Sequence, residues 1–147
     1  MRCELCENAG GEILWRDDFC RVVWAFQPDH PGFCRVVSTA HVKEMSELAP
    51  GEPERLMRVV LATERALIDV LQPDKVNLAS LGNLVPHLHW HVIPRVRDDP
   101  HFPNPVWSEK LRETVRGLPA DFAPRMRAQL SDTLGASDAG CLSAPRR

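Results

Sequence analysis

Three of the six histidines stand at alternate positions in the run HLHWH, residues 87–91. On an extended strand, residues two apart share a face and lie about 6.6 Å apart, so His87, His89 and His91 would form one row of imidazoles. Leu88, Trp90 and Val92 would form the opposite, core-facing row. On a helix the same spacing turns each ring by roughly 200° from the last and brings no two together. Any half-exposed strand alternates polar and apolar residues without a function. Three imidazoles in register point further, to metal binding, proton transfer or nucleophilic attack. Neutral imidazole, with an ordinary pKa of about 6.5, attacks phosphorus at neutral pH. Its neighbours can meanwhile donate hydrogen bonds to phosphoryl oxygens as charge develops.

A second group of chemistry-bearing residues opens the chain. Cys3 and Cys6 form a C-x-x-C in CELC, a spacing that suits a metal or a redox pair and equally suits two incidental thiols at a flexible end. A redox role asks for a strand-to-helix setting that is absent here. The five cysteines are an odd number, so disulfides cannot use them all, and Cys20, Cys34 and Cys141 read as small apolar residues. The cysteine usage, with no signal-like or membrane-spanning run, points to the cytoplasm.

The elements that must position these groups follow from the chain pattern. The 147 residues, 44% hydrophobic, suffice for one domain with a core. A net charge of -2 excludes a general electrostatic grip on a nucleic-acid polymer or an acidic membrane. EILWR and FCRVVWAF, joined by Asp17 and Asp18, read as a hairpin. FCRVVS resumes as a strand after the prolines of QPDHPG. Leu56, Val59, Val60, Leu67, Val70 and Leu71 recur at helical steps, which predicts a helix from Pro53 to Leu71. KVNLASL and HLHWHVIPR read as two more strands around a turn at Gly82 and Asn83. The expected fold is α+β, a five-stranded antiparallel sheet packed against one long helix. Residues 1–109 form the expected domain, and 110–147 a tail with helical patches, SEKLRETVRGL and APRMRAQLSDTL, and a frayed end. Trp15 and Trp24 read as core, His30 and His101 as exposed, and Trp107 as a base-stacking face or a buried anchor for the tail.

HLHWHVI fits every position of His-φ-His-φ-His-φ-φ, with φ apolar, and in this the chain resembles the histidine triad family. The resemblance covers roughly residues 3–95. It implies a sheet-and-helix fold, commonly a homodimer, that binds nucleoside phosphates and uses no organic cofactor. His89 would attack the α-phosphorus of a nucleotide anhydride, ester or phosphoramidate to give a nucleotidyl-histidine. His91 would hydrogen-bond the phosphoryl oxygens, and His87 would orient its neighbours. Gly82 and Asn83 match a loop that approaches the phosphate, and Asn77 resembles an asparagine near the sugar. The resemblance also implies a structural zinc held by Cys3, Cys6, His41 and His87. Three positions depart from the family pattern. Phe33 replaces a histidine, Leu84 replaces a hydroxyl residue, and the acid that grips the ribose has no clear counterpart, with Asp29 displaced from its place. Three functions follow: a nucleotidyl hydrolase or transferase, a nucleotide-binding module with little turnover, or a protein whose histidine row is itself the metal site.

Overall fold

The computed structural model describes residues 2–138. Five strands form one antiparallel sheet in the order β1-β2-β3-β5-β4. They are β1 (Glu12–Arg16), β2 (Cys20–Trp24), β3 (Cys34–Ser38), β4 (Lys75–Ala79) and β5 (His89–Arg95). Helices are α1 (Glu4–Glu7), α2 (Glu52–Leu71) and α3 (Phe122–Leu134). No helix among the described residues is long and apolar enough to cross a membrane.

Helix α2 begins where Gly51 adopts a left-handed φ of 85° and Pro53 fits the first turn, with Glu52 and Glu54 complementing the helix dipole. It stops at Gln72, also left-handed, before Pro73. Its inward stripe of Leu56, Val59, Val60, Leu67 and Val70 packs on Val22, Val36 and Val92 from the sheet and on Leu88 just before β5. Each such side chain, fully buried, contributes about 1.5–3 kcal/mol relative to exposure.

The C-terminal region divides differently from its expected helical patches. Residues 108–119 hold no helix and run as an irregular strap. Residues 122–134 do form one, and it is no surface appendage: Phe122, Met126 and Leu130 are buried in the main core beside α2. Trp15 donates from Nε1 to the Gly135 carbonyl at 2.9 Å, tying β1 to the end of that helix. The end expected to fray from residue 135 onward is instead held along β1 in its first four residues, where the Arg16 amide donates to Ser137 Oγ at 3.0 Å and the Asp138 amide donates to the Arg16 carbonyl at 2.9 Å; residues 139–147, with Cys141, lie outside the described residues.

One face of the sheet is thus covered by α2 and α3. The opposite face carries Val23, Val37 and Leu5 as a smaller apolar cluster at the N-terminal end, and the triad histidines beside it.

Candidate active site and metal centre

Strand β5 begins at His89, and its pairing with β3 sets Val37 opposite His89 and Arg35 opposite His91. Cross-strand partners face the same way. The His89 and His91 rings stand edge to face, with centroids 4.8 Å apart. The expected row of three is not uniform: His87 lies in the bend just before the strand, and its ring joins the N-terminal cysteines. The row therefore divides into a pair and a single.

His89 Nδ1 lies 2.6 Å from the carbonyl oxygen of His87. A carbonyl only accepts, so the proton sits on Nδ1 and the Nε2 lone pair is left bare. Burial pushes the His89 pKa below its ordinary value, against the pull of that bond. Burial also lowers His91, to about 4, with the charges of His89 and Arg35 adding to the effect. Both rings rest neutral at pH 7.

His87 uses the other tautomer. Its Nε2 donates to the Ser38 carbonyl at 2.8 Å, which turns its Nδ1 lone pair toward Cys3 and Cys6. Cys3 and Cys6, one helical turn apart in and beside α1, present both sulfurs on one side. Their sulfurs stand 3.4 and 3.5 Å from His87 Nδ1, and Cys6 Sγ is 3.3 Å from His41 Nδ1. The two ring nitrogens are 3.3 Å apart. A tetrahedral zinc with bonds of about 2.3 Å to sulfur and 2.05 Å to nitrogen requires edges of roughly 3.6 Å (S to N) and 3.3 Å (N to N). The four residues fit that ion and can hold it, as a closed site with no position left for a reacting ligand. Of the histidine row, His87 alone belongs to a metal-competent group among the described residues, and it does so with the cysteines and His41, not with His89 or His91.

Beyond β5 the chain turns back over His91. Arg95, buried, donates to both Asp99 carboxylate oxygens at 2.7 and 3.0 Å, and also to Asn77 Oδ1 and the Asn104 carbonyl. Asp99 in turn accepts from the backbone amides of His101 and Phe102. This anchor holds residues 99–107 as a roof whose Trp107 ring edges onto His91 at 5.4 Å. Burial pushes the Asp99 carboxyl up, but Arg95 and the two amides outweigh it and set its pKa to about 2. Folded Asp99 thus holds its proton less tightly than unfolded aspartate at 3.8; its stabilisation is complete above that value and is lost as pH falls toward 2. Asp99→Asn leaves a buried guanidinium uncompensated and is expected to cost about 3–5 kcal/mol at neutral pH, read from urea unfolding. A loss below about 1 kcal/mol would mean that the pair does not anchor the roof.

The remaining residues singled out in the sequence fall as follows. Asn77 is engaged by Arg95 and lies outside the lining of the cavity at His91. Gly82 has a left-handed φ of 70° in an exposed loop, with Asn83 and Leu84 turned to solvent. His30 and His101 are buried, not exposed: His30 Nε2 and His101 Nδ1 share a hydrogen bond of 2.8 Å under the roof, a burial that the flanking prolines concealed. Trp107 is 55% exposed, so it does not anchor the tail by burial. Asp29 is neutralised by Lys110 at 2.9 Å.

Two residues escaped the sequence reading. Ser80 Oγ donates to the His89 carbonyl at 3.1 Å. Arg35 faces the site, and its signal was alternation: it is the one charge within FCRVVS, and Phe33 shares its face. A cavity of about 170 Å³ lies between Phe33, Arg35, His91, His101 and Trp107. Among the described residues, the buried side-chain polar atoms without a partner are His30 Nδ1, Arg35 Nε and His91 Nδ1, and all three residues line this cavity. A larger cavity of about 600 Å³, between the end of α2 and the strap, contains neither His89 nor His91 in its walls.

A HIT domain family model matches residues 7–98. AP-4-A phosphorylase of Mycobacterium tuberculosis is 29% identical over 124 residues, covering 77% of this chain and 64% of its own length. The asymmetrical bis(5'-nucleosyl)-tetraphosphatase of Schizosaccharomyces pombe is 26% identical over 105 residues, covering 68% of this chain and 58% of its own. The chain therefore spans less than two thirds of either relative. A solved histidine triad protein from Bradyrhizobium japonicum superposes with a TM-score of 0.69 at 25% identity, over 91% of this chain and 96% of that one.

Proposed function

The chain belongs to the HIT domain family, and from that premise we propose that it is a nucleotidyl hydrolase or transferase acting at the α-phosphorus of a nucleoside phosphoanhydride or phosphoramidate. The observation that carries this reading is the fixed tautomer of His89, whose proton is held by a backbone carbonyl while Nε2 stays bare.

In the first step the Nε2 lone pair forms a bond to phosphorus, and the bond from phosphorus to the leaving oxygen or nitrogen breaks; the leaving group departs with the electron pair and takes a proton from solvent. The ring becomes cationic, and the His87 carbonyl at Nδ1–H stabilises that charge as it develops. His91 orients against the phosphoryl oxygens. In the second step water, or another acceptor, bonds to phosphorus and gives up its proton to solvent, while the phosphorus–nitrogen bond breaks and its electron pair returns to Nε2, restoring neutral His89. Cys3, Cys6, His41 and His87 would hold a zinc ion, which supplies no reacting ligand; it fixes the N-terminal segment and His87. Asn77, Gly82 and Asn83 are assigned to the sugar and phosphate surroundings, and the family relationship favours a homodimer.

Hydrolysis of diadenosine tetraphosphate in ¹⁸O-water tests the reading: the label is expected on the phosphate of AMP. Label found only in the nucleoside triphosphate product would place attack elsewhere and refute it. The exposed, hydroxyl-free Leu84 favours a second reading, a nucleotide-binding module with little turnover. Nucleotide binding without label incorporation across anhydride and phosphoramidate substrates would select it.

A further inference from the structure

Arg35 has no role in the chemistry above, yet it occupies a costly position. It stands opposite His91 on the neighbouring strand and lines the same cavity. Its guanidinium lies 5.7 Å from the Phe33 ring centroid, a cation–π contact on one flank. Among the described residues its side chain makes no hydrogen bond and no ion pair, and its Nε is buried without a partner. Burial lowers its pKa, and Glu4 is the one acid near enough to favour its charge. The acid nearest in the cavity wall, Asp29, is already committed to Lys110. Arginine stays charged in proteins, so this is a permanent, half-buried cation beside the cavity, with its Nε–H out of water and unpartnered. A fold keeps such a group when a ligand completes it.

We propose that Arg35 binds a second phosphoryl group of the substrate, beyond the one that His89 attacks. The inference rests on the nucleotide chemistry proposed above. It narrows the substrate to nucleotides with two or more phosphoryl groups. The planar fork of a guanidinium matches two oxygens of one phosphate, which neither a neutral amine leaving group nor an unmodified sugar offers. The second group is either the next phosphoryl of the chain or one carried on the ribose, and the two sources separate by experiment.

Calorimetric titration of wild type and R35Q with AMP, ADP, adenosine 3',5'-bisphosphate and inorganic pyrophosphate provides the test. Wild type is expected to bind ADP or the bisphosphate at least tenfold tighter than AMP. R35Q is expected to lose that margin while its affinity for AMP changes less than about threefold, since the single phosphate of AMP lies at His89 and makes no contact with Arg35. A margin for ADP alone identifies the chain phosphoryl, and a margin for the bisphosphate alone identifies the ribose. Equal affinities in wild type, or a margin that survives in R35Q, overturn the inference while leaving the proposed function standing. Should wild type not bind AMP, the proposed function fails, and pyrophosphate decides separately. A tenfold loss of pyrophosphate affinity in R35Q supports the assignment, and unchanged or absent binding refutes it. If R35Q does not fold, R35K takes its place: a margin reduced severalfold supports the bidentate contact, and an intact margin overturns it.

Discussion

Replacing His89 with alanine is expected to lower turnover of a nucleoside phosphoanhydride on the order of a thousandfold or more, the scale seen when a covalent nucleophile is removed. The reason is specific to this site. No second bare nitrogen is placed to substitute: His87 has its two nitrogens directed at Ser38 and at the cysteine cluster, and His91 lies a full strand repeat away. Acid quenching during turnover should trap the nucleotide on wild-type protein and none on the variant, with intact-mass measurement as readout. His89 lies on the face away from α2 and α3, so its truncation leaves the main core intact, and melting should shift by only a few degrees. An alanine variant that turns over as fast as wild type removes His89 from the mechanism.

Loss of the metal should come next in size. Protein purified without a polyhistidine tag is expected to contain one zinc per chain, and Cys6→Ser or exhaustive chelation to lower the melting temperature by roughly 10 °C or more. The chain should nevertheless stay folded. Arg21 donates to the carbonyls of Leu5, Asn8 and Ala9, and Leu5 is buried against Val23 and Val37, so the N-terminal segment keeps a hold on the sheet without the ion. Turnover should fall about 10- to 100-fold, as is usual when the partners that orient a reacting group are loosened. The path runs through His87: a bound ion would fix its ring, and its carbonyl accepts the His89 Nδ1 proton. A protein free of zinc with Cys3 and Cys6 reduced, melting as wild type does, would show that the four residues hold no structural ion.

Much of this architecture was legible in the chain because periodicity reports on burial. The alternating Leu88, Trp90 and Val92 and the helical stripe of α2 meet in the core as their spacing required. The metal-competent set was reached through family resemblance; its spacing alone left the cysteines ambiguous. What stayed hidden depends on contacts between segments distant in sequence. His30 and His101 are 71 positions apart, and nothing local shows that each buries the other. Phe122, Met126 and Leu130 lie four apart on one face, but only their meeting with α2 makes that helix part of the core. The failure of 108–119 to form a helix has a similar origin: Arg112 donates to the carbonyls of Asp99 and Phe102, and Leu111 pairs with Pro100, so the strap's bonds go outward to the roof. Arg35 was overlooked for a plainer reason, because one charge in a short strand reads as a solvated edge until the cavity beside it is seen.

The partner that selects which nitrogen of His89 carries the proton is the peptide oxygen of residue 87, an atom that every amino acid possesses. Natural variation can therefore exchange side chains around the triad, altering affinity and substrate range, without changing which ring atom meets phosphorus. Only a shift of the main chain between positions 87 and 89 would reverse it.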